Sequence, residues 1–305
     1  MRNAFSDVLV ELAQADPNVL LLTGDHGYAL FDPFRRHCPK QYINAGIAEQ
    51  NMVGMAAGLA RAGFRPFVYG LSAFVPVRVL EQIKLDVAHD DLPVVLLGDG
   101  AGLVYSHLGT SHQSTEDIAC TRAIPGLCVL SPADRHEMTA CMRAAYELRR
   151  PVYLRMGKAD RGDVHATALH RIDVGLPLQL RKGVSSAPAL IATGSMVRTA
   201  LDIGAYYPDA SIWSVPSIKP LHAEAICTIA RSSSTLIVME EHSTVGGLGS
   251  AIAEITSEHN QIAVLRVGIN DRYSMKCGTY DYLLKEHGLD ERAIRVRIND
   301  FLDAR

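Results

Sequence analysis

Asn44-Ala45-Gly46-Ile47-Ala48-Glu49-Gln50-Asn51-Met52-Val53-Gly54-Met55-Ala56-Ala57-Gly58-Leu59-Ala60 is the stretch on which the fold turns. Its spacing predicts a helix over 47–62, with Glu49 in the first turn and the small residues Gly54, Ala56, Ala57, Gly58 and Ala60 along its body. An acid in a first turn is ordinarily explained by the helix dipole, worth about 0.3–1 kcal/mol. The small residues ask for more, because an interior glycine costs up to about 1 kcal/mol against alanine and needs a packing reason to be there. Close approach of another backbone is such a reason. It would leave Glu49 in a crowded, poorly hydrated interface.

Outward from this helix, short β-rich runs alternate with longer helical patterns, as βαβ units and parallel sheets require. Strands are expected at 19–23, 65–69, 94–97, 127–130 and 152–154, and further helices at 77–88 and 133–148. The last helix carries the start signal Ser131-Pro132-Ala133-Asp134, which places Ser131 at the N-cap and Pro132 at the first helical position. From Lys158 the periodicity fades through Gly162, Gly175, Pro177, Gly183 and Pro188, with room for one short strand. A second alternation then follows, with strands at 189–193, 211–215, 235–239 and 262–267 and helices at 195–206, 223–230 and 250–258. The expected fold class is α/β: two three-layer α/β/α domains over 1–162 and 188–305, joined by a linker at 163–187.

Composition agrees and excludes other classes. The chain has 305 residues, 48% hydrophobic and 21% charged, enough for a large core. Thirty Lys and Arg against 33 Asp and Glu leave a net charge of −3, with no basic stripe for a nucleic acid backbone. The longest apolar runs are about five residues, whereas a membrane span needs roughly twenty. Met1-Arg2-Asn3-Ala4-Phe5-Ser6-Asp7 has no apolar signal core, so a cytoplasmic protein is expected. Six cysteines show no CxxC or metal-ligand spacing, as expected for buried, reduced thiols. The 24 glycines remain to be explained.

Gly46-Ile47-Ala48-Glu49-Gln50, the small-residue helix and Arg65-Pro66-Phe67-Val68-Tyr69 together resemble the thiamine pyrimidine-binding domain of the transketolase superfamily. The resemblance runs on through Leu80-Glu81-Gln82-Ile83, Gly109-Thr110-Ser111-His112-Gln113, Thr115-Glu116-Asp117-Ile118-Ala119 and Ser131-Pro132-Ala133-Asp134. Gly194-Ser195, Glu240-Glu241-His242-Ser243 and Gly246-Gly247-Leu248-Gly249-Ser250 are similar to the transketolase C-terminal domain. Essentially the whole chain is covered.

The resemblance implies roles residue by residue. Glu49 would hydrogen-bond a ring nitrogen of the aminopyrimidine of thiamine diphosphate. Sharing a proton with that weakly basic ring requires a buried carboxyl, although the helix N-terminus favours the charged form, so desolvation has to win. Phe74 matches the aromatic that stacks on the pyrimidine, and Tyr69 is a second candidate for contact with it. His112 matches an active-site histidine, a residue able to give and take protons at neutral pH. His107 stands beside Leu108, where sugar enzymes of the superfamily carry an aspartate, and could replace it. Arg155 and Lys158 fall near a phosphate-binding arginine, with Lys158 at the matching offset; lysine is the weaker phosphate clamp. His26 ends the first strand, where ligand-facing loops of α/β sheets lie. Gly100 and Ala29 stand where sugar-phosphate enzymes have a histidine and a serine.

The superfamily also needs a domain that holds the diphosphate through Mg2+ or a similar divalent ion. Gly98-Asp99-Gly100 imitates half of that motif, but no asparagine follows before Leu201 and no metal ligands are expected in this chain. The expectation is therefore one half of a split transketolase, joined to an N-terminal, diphosphate-binding subunit in an α2β2 assembly. That half would move a two-carbon ketol unit from a ketose to an aldose. The alternatives are a decarboxylating enzyme similar to 1-deoxyxylulose-5-phosphate synthase, a 2-oxo-acid dehydrogenase β subunit, or a non-catalytic scaffold. Gly246-Gly247-Leu248-Gly249 is read as a packing turn, since it lacks the strand and acid of a dinucleotide site.

Overall fold

The computed structural model describes residues 1–27, 29–158 and 160–305. Its strands are β1 (Val19–Thr23), β2 (Tyr42–Asn44), β3 (Arg65–Leu71), β4 (Val95–Asp99), β5 (Cys128–Leu130), β6 (Val152–Met156), β7 (Leu178–Arg181), β8 (Ala187–Ala192), β9 (Ser211–Ser214), β10 (Ser217–Lys219), β11 (Ser233–Ser243) and β12 (Val264–Ile269). They form one sheet of order β10-β5-β6-β4-β3-β1-β2 and another of order β12-β11-β8-β9-β7. All pairings are parallel except those of the edge strands β10 and β7, which run antiparallel to β5 and β9.

The period-two alternation of side chains builds the layers. Leu21, Phe67, Leu97 and Leu154 face one apolar cluster, while Leu20, Leu22, Val68, Leu96 and Tyr153 face another. In the second sheet Leu190, Ile237 and Met239 oppose Ala189, Ile191 and Val238 in the same way. Both sheets are thus covered on both faces, which gives the two α/β/α sandwiches. The first cluster is closed by a helix absent from the expectations, Arg2–Ala15, whose Phe5, Leu9 and Ala13 recur at helical spacing and are buried.

Three local expectations need correction. The helix after β5 is Arg135–Leu148, not 133–148, and its N-cap is Asp134 rather than Ser131. The Asp134 carboxylate accepts from the backbone N–H groups of His136 and Glu137, and also from Val164 and His165, so one acid caps the helix and pins the following segment. The expected helix over 77–88 is instead 3-10 at Val77–Val79, α at Leu80–Gln82 and π-helical at Ile83–Ala88. The central helix is Glu49–Arg61, and extra atoms at Gly54 or Gly58 would meet nothing within 4 Å. Its buried stripe is Met52, Val53, Ala56, Ala57 and Ala60, so within this chain the two glycines lie on an open face. Of the cysteines, all free, Cys277 is exposed.

Main-chain pairing and a buried arginine join the halves. Besides β10 in the first sheet, Arg155 on β6 reaches Asp117 through Nε at 2.8 Å and the carbonyl of Glu241 on β11 through Nη2 at 2.8 Å. Next to it, the Glu240 carboxylate accepts from the N–H groups of Leu248 (2.7 Å) and Gly249 (2.9 Å) at the start of helix Leu248–His259. Burial pushes the Glu240 carboxyl above its usual range. The glycine-rich turn therefore presents its helix N-terminus to the protein's own anion, which leaves no room there for a phosphate. A Cβ on Gly247 would be driven into that carboxylate. Gly247→Ala is expected to cost about 1–3 kcal/mol by overpacking, read as a lower urea midpoint; an unchanged midpoint would show that the turn can give way.

Candidate active site

In an open parallel sheet, ligands bind outside the carboxyl ends of the strands, where the strand order reverses. Here β1 is flanked by β2 on one side and β3 on the other. The crevice between the ends of β1 and β3 is lined by His26, just after β1, and Phe74, just after β3, their rings 6.4 Å apart. Glu49 enters from the helix that follows β2. It is 3% exposed, although the first turn of a surface helix would normally leave an acid in water.

One Glu49 oxygen, Oε2, accepts from Arg78 Nη1 at 3.0 Å. Among the described residues, the other, Oε1, is buried without a hydrogen-bond partner, as is His26 Nε2, 3.8 Å away. Leaving such an atom unpaired costs about 1–3 kcal/mol, so a carboxylate oxygen held this way calls for an outside partner. Arg78 also lies over the ring of Phe74, 3.9 Å from its centroid. The ring of His112 meets Phe74 edge-on at 5.3 Å, and Tyr105 stands 6.4 Å beyond His112. His112 Nδ1 is 3.0 Å from Ser111 Oγ.

Five of the residues singled out in the sequence thus take clear places. His26, Glu49, Phe74 and His112 converge on one crevice, and Lys158 lies at the seam between the halves, paired with Asp160 and 5.5 Å over the ring of Tyr280. His107 is exposed on the 3-10 turn Ser106–Leu108, and among the described residues no ring contact or ion pair ties it to the crevice. Tyr69 and Arg155 are placed in the interior. The Tyr69 ring stacks on Phe5 at 6.0 Å and meets Phe31 edge-on at 4.8 Å, and its hydroxyl donates to Asp99 at 2.6 Å. Burial, then Asp99, push its phenol far up, so it stays a neutral donor. Arg155 is 1% exposed with its guanidinium committed to Asp117 and Glu241. Burial disfavours that cation, but Asp117, Tyr153 and Glu241 together more than offset it and raise its pKa.

Asp99 of the Gly-Asp-Gly imitation is likewise engaged, accepting from Tyr69 and Tyr105 and facing Arg2 Nη2 at 3.4 Å. Among the described residues no group of three or more His, Cys, Asp or Glu side chains could hold a metal ion. Sequence reasoning missed Arg78 and Tyr105. Arg78 lies four positions after Phe74, and only the 3-10 turn before Leu80 brings it back over the ring. Tyr105 fills the space that a side chain at position 100 would need, which ties it to the absent histidine there. No described helix is long and apolar enough to cross a membrane.

Comparison with known proteins matches residues 1–162 to the family model "Transketolase, pyrimidine binding domain" and 184–294 to "Transketolase, C-terminal domain". The chain is 34% identical over 298 residues to one of the subunits of the apulose-4-phosphate transketolase of Phocaeicola vulgatus, covering 96% of this chain and 94% of that one. It is 35% identical over 305 residues to a putative transketolase C-terminal section of Methanocaldococcus jannaschii, covering 98% and 95%. A solved structure described as a split gene transketolase, inactive beta4 tetramer, superposes with a TM-score of 0.87 at 32% identity, covering 98% of this chain and 96% of that one.

Proposed function

Because this chain belongs to the transketolase family, we propose that it is one subunit of a thiamine-diphosphate enzyme that transfers a two-carbon ketol unit from a ketose to an aldose. The observation that carries this reading is the buried Glu49 with one oxygen unpaired, beside the Phe74 ring and two histidines. Thiamine diphosphate, when bound, supplies a nucleophilic carbon and a sink for the electron pair left by carbon–carbon cleavage. Glu49 Oε1 would accept or hold a proton toward a ring nitrogen of that group. Arg78 covers one face of Phe74, so a flat ring stacks on the other face or displaces the guanidinium. His26 and His112 would hold protons on substrate hydroxyls at the two sides of Phe74, with His107 and Lys158 left for the more distant end of a sugar.

The same residues hold no diphosphate, since the one Gly-Asp-Gly acid is engaged internally. A separate subunit that holds the diphosphate through Mg2+ would complete the site, in an α2β2 assembly in the cytoplasm. The names of the relatives support a divided enzyme, one being a single subunit of a transketolase and the structural neighbour an inactive tetramer of β chains. Domains at 1–162 and 188–305, with the segment between them lending β7 to the second sheet, fit this division of labour.

The test is reconstitution of the copurified partner with this chain, followed by a screen of ketose donors and aldose acceptors with carbon dioxide detection. Ketose consumption without carbon dioxide, dependent on both subunits, is expected. Release of carbon dioxide from pyruvate would instead place the chain with the decarboxylating enzymes.

A further inference from the structure

The loop over 100–115, which carries His107 and His112, follows β4 of the first sheet, yet the second half of the chain supplies its outer anchors. Its neck is closed by its own backbone, where Gly102 and Ser114 exchange hydrogen bonds of 2.8 and 2.9 Å. Beyond the neck the partners change. Leu103 N–H donates to Glu241 Oε1 at 2.7 Å, and Ser243 N–H donates to the carbonyl of Thr115 at 2.7 Å. The sulfur of Cys277 rests so close to Gly109 that a Cβ there would lie 2.9 Å from it.

The contact nearest His112 passes through Gln113, which is 5% exposed. Its Oε1 accepts from the Ser274 hydroxyl at 2.8 Å, and Ser274 Oγ is 2.9 Å from His287 Nε2. Ser274 has a single proton, given to Gln113, so the ring nitrogen of His287 is the donor to Ser274. A part-buried chain of hydrogen bonds therefore runs His287 to Ser274 to Gln113. Gln113 Nε2 has no partner, so among the described residues the amide is held through its oxygen alone. Removing the Ser274 hydroxyl would leave the whole amide unpaired next to His112, and a buried polar group in that condition drives local rearrangement.

We propose that Ser274, together with Glu241, is a positioning residue for His112, and that fixing this loop is a task of the C-terminal half. The inference rests on the reading of His112 as a group that faces substrate.

Hydrogen exchange on the full chain tests the clamp without any assay of turnover. In Ser274→Ala, amides of 102–115 should exchange roughly tenfold faster while those of β8 and β11 keep their protection. Glu241→Ala, which removes the acceptor of the Leu103 N–H together with the contacts to Ser195 and Tyr280, should loosen the same loop from its other end. Wild-type exchange over the loop in both variants overturns the proposal. In the two-subunit enzyme, Ser274→Ala should lower kcat about tenfold with KM for the ketose within about twofold, and Ser274→Thr should restore it. A loosened loop with unchanged kcat also overturns the positioning role. Full activity in His112→Ala would instead refute the reading of the site, while the exchange result for the clamp would stand apart from it.

Discussion

Glu49→Gln is expected to give a folded chain whose ketol transfer, measured with its partner subunit, falls by about a thousandfold or more, at the upper end of what a positioned acid–base group supplies. The substitution keeps the volume of a side chain that is 3% exposed, so packing of helix Glu49–Arg61 is preserved. It removes the ability to hold and release a proton at Oε1, the oxygen without an internal partner. Arg78 loses its charged partner, but its side chain is 45% exposed. A half-exposed ion pair contributes about 0–1 kcal/mol, so the loss of activity cannot be ascribed to unfolding. The checks are single-turnover rates in the reconstituted enzyme and the urea midpoint of the isolated chain. Near-normal rates would remove Glu49 from the mechanism.

The second large effect is on stability. Asp117→Asn is expected to cost about 3–5 kcal/mol, because it strands the Arg155 guanidinium in the interior. Asp117 is fully buried, and its Oδ2 receives Arg155 Nε at 2.8 Å and the Tyr153 hydroxyl at 2.6 Å. Urea unfolding should register most of the loss as a lower midpoint with an unchanged slope. Replacing both partners by apolar residues, Asp117→Leu with Arg155→Met, should recover much of it, because the charge that needs a partner is then gone. A loss below about 1 kcal/mol in Asp117→Asn would mean that water reaches Arg155 and that the pair is not sealed.

These two residues mark what could and could not be read from the chain alone. Glu49 was legible because its neighbours are unusual: an acid opening a helix rich in glycine and alanine breaks a local rule, and broken rules gather at sites. Phe74, His26 and His112 were legible by their places after strands and in motifs. The roles of Asp117 and Arg155 depend on contacts across 38 positions, and nothing near either residue reveals them. Arg155 was accordingly expected at a substrate and lies instead in the seam. Ser131 was expected to cap a helix that Asp134 caps, because both are good caps within three residues of each other, and it is Asp134 that receives the first N–H groups of the helix. The regular strands, set by alternation, fell within a few residues of expectation. The short edge strands β2 and β10, each of three residues, carry too little pattern to be seen.

The second of these has the widest reach. β10 lies late in the chain, beyond β8 and β9 of the second sheet, yet it pairs antiparallel with β5 and forms the border of the first. Lys219 at its end gives its ammonium to the carbonyls of Arg122 and Ile124. Loss of the second half would uncover the backbone groups of β5, and a bare strand edge recruits other chains. The two sandwiches are therefore not interchangeable cassettes. Recombination that exchanged the second half for another would have to bring a matching border strand with it, so this three-residue segment couples the inheritance of the two halves.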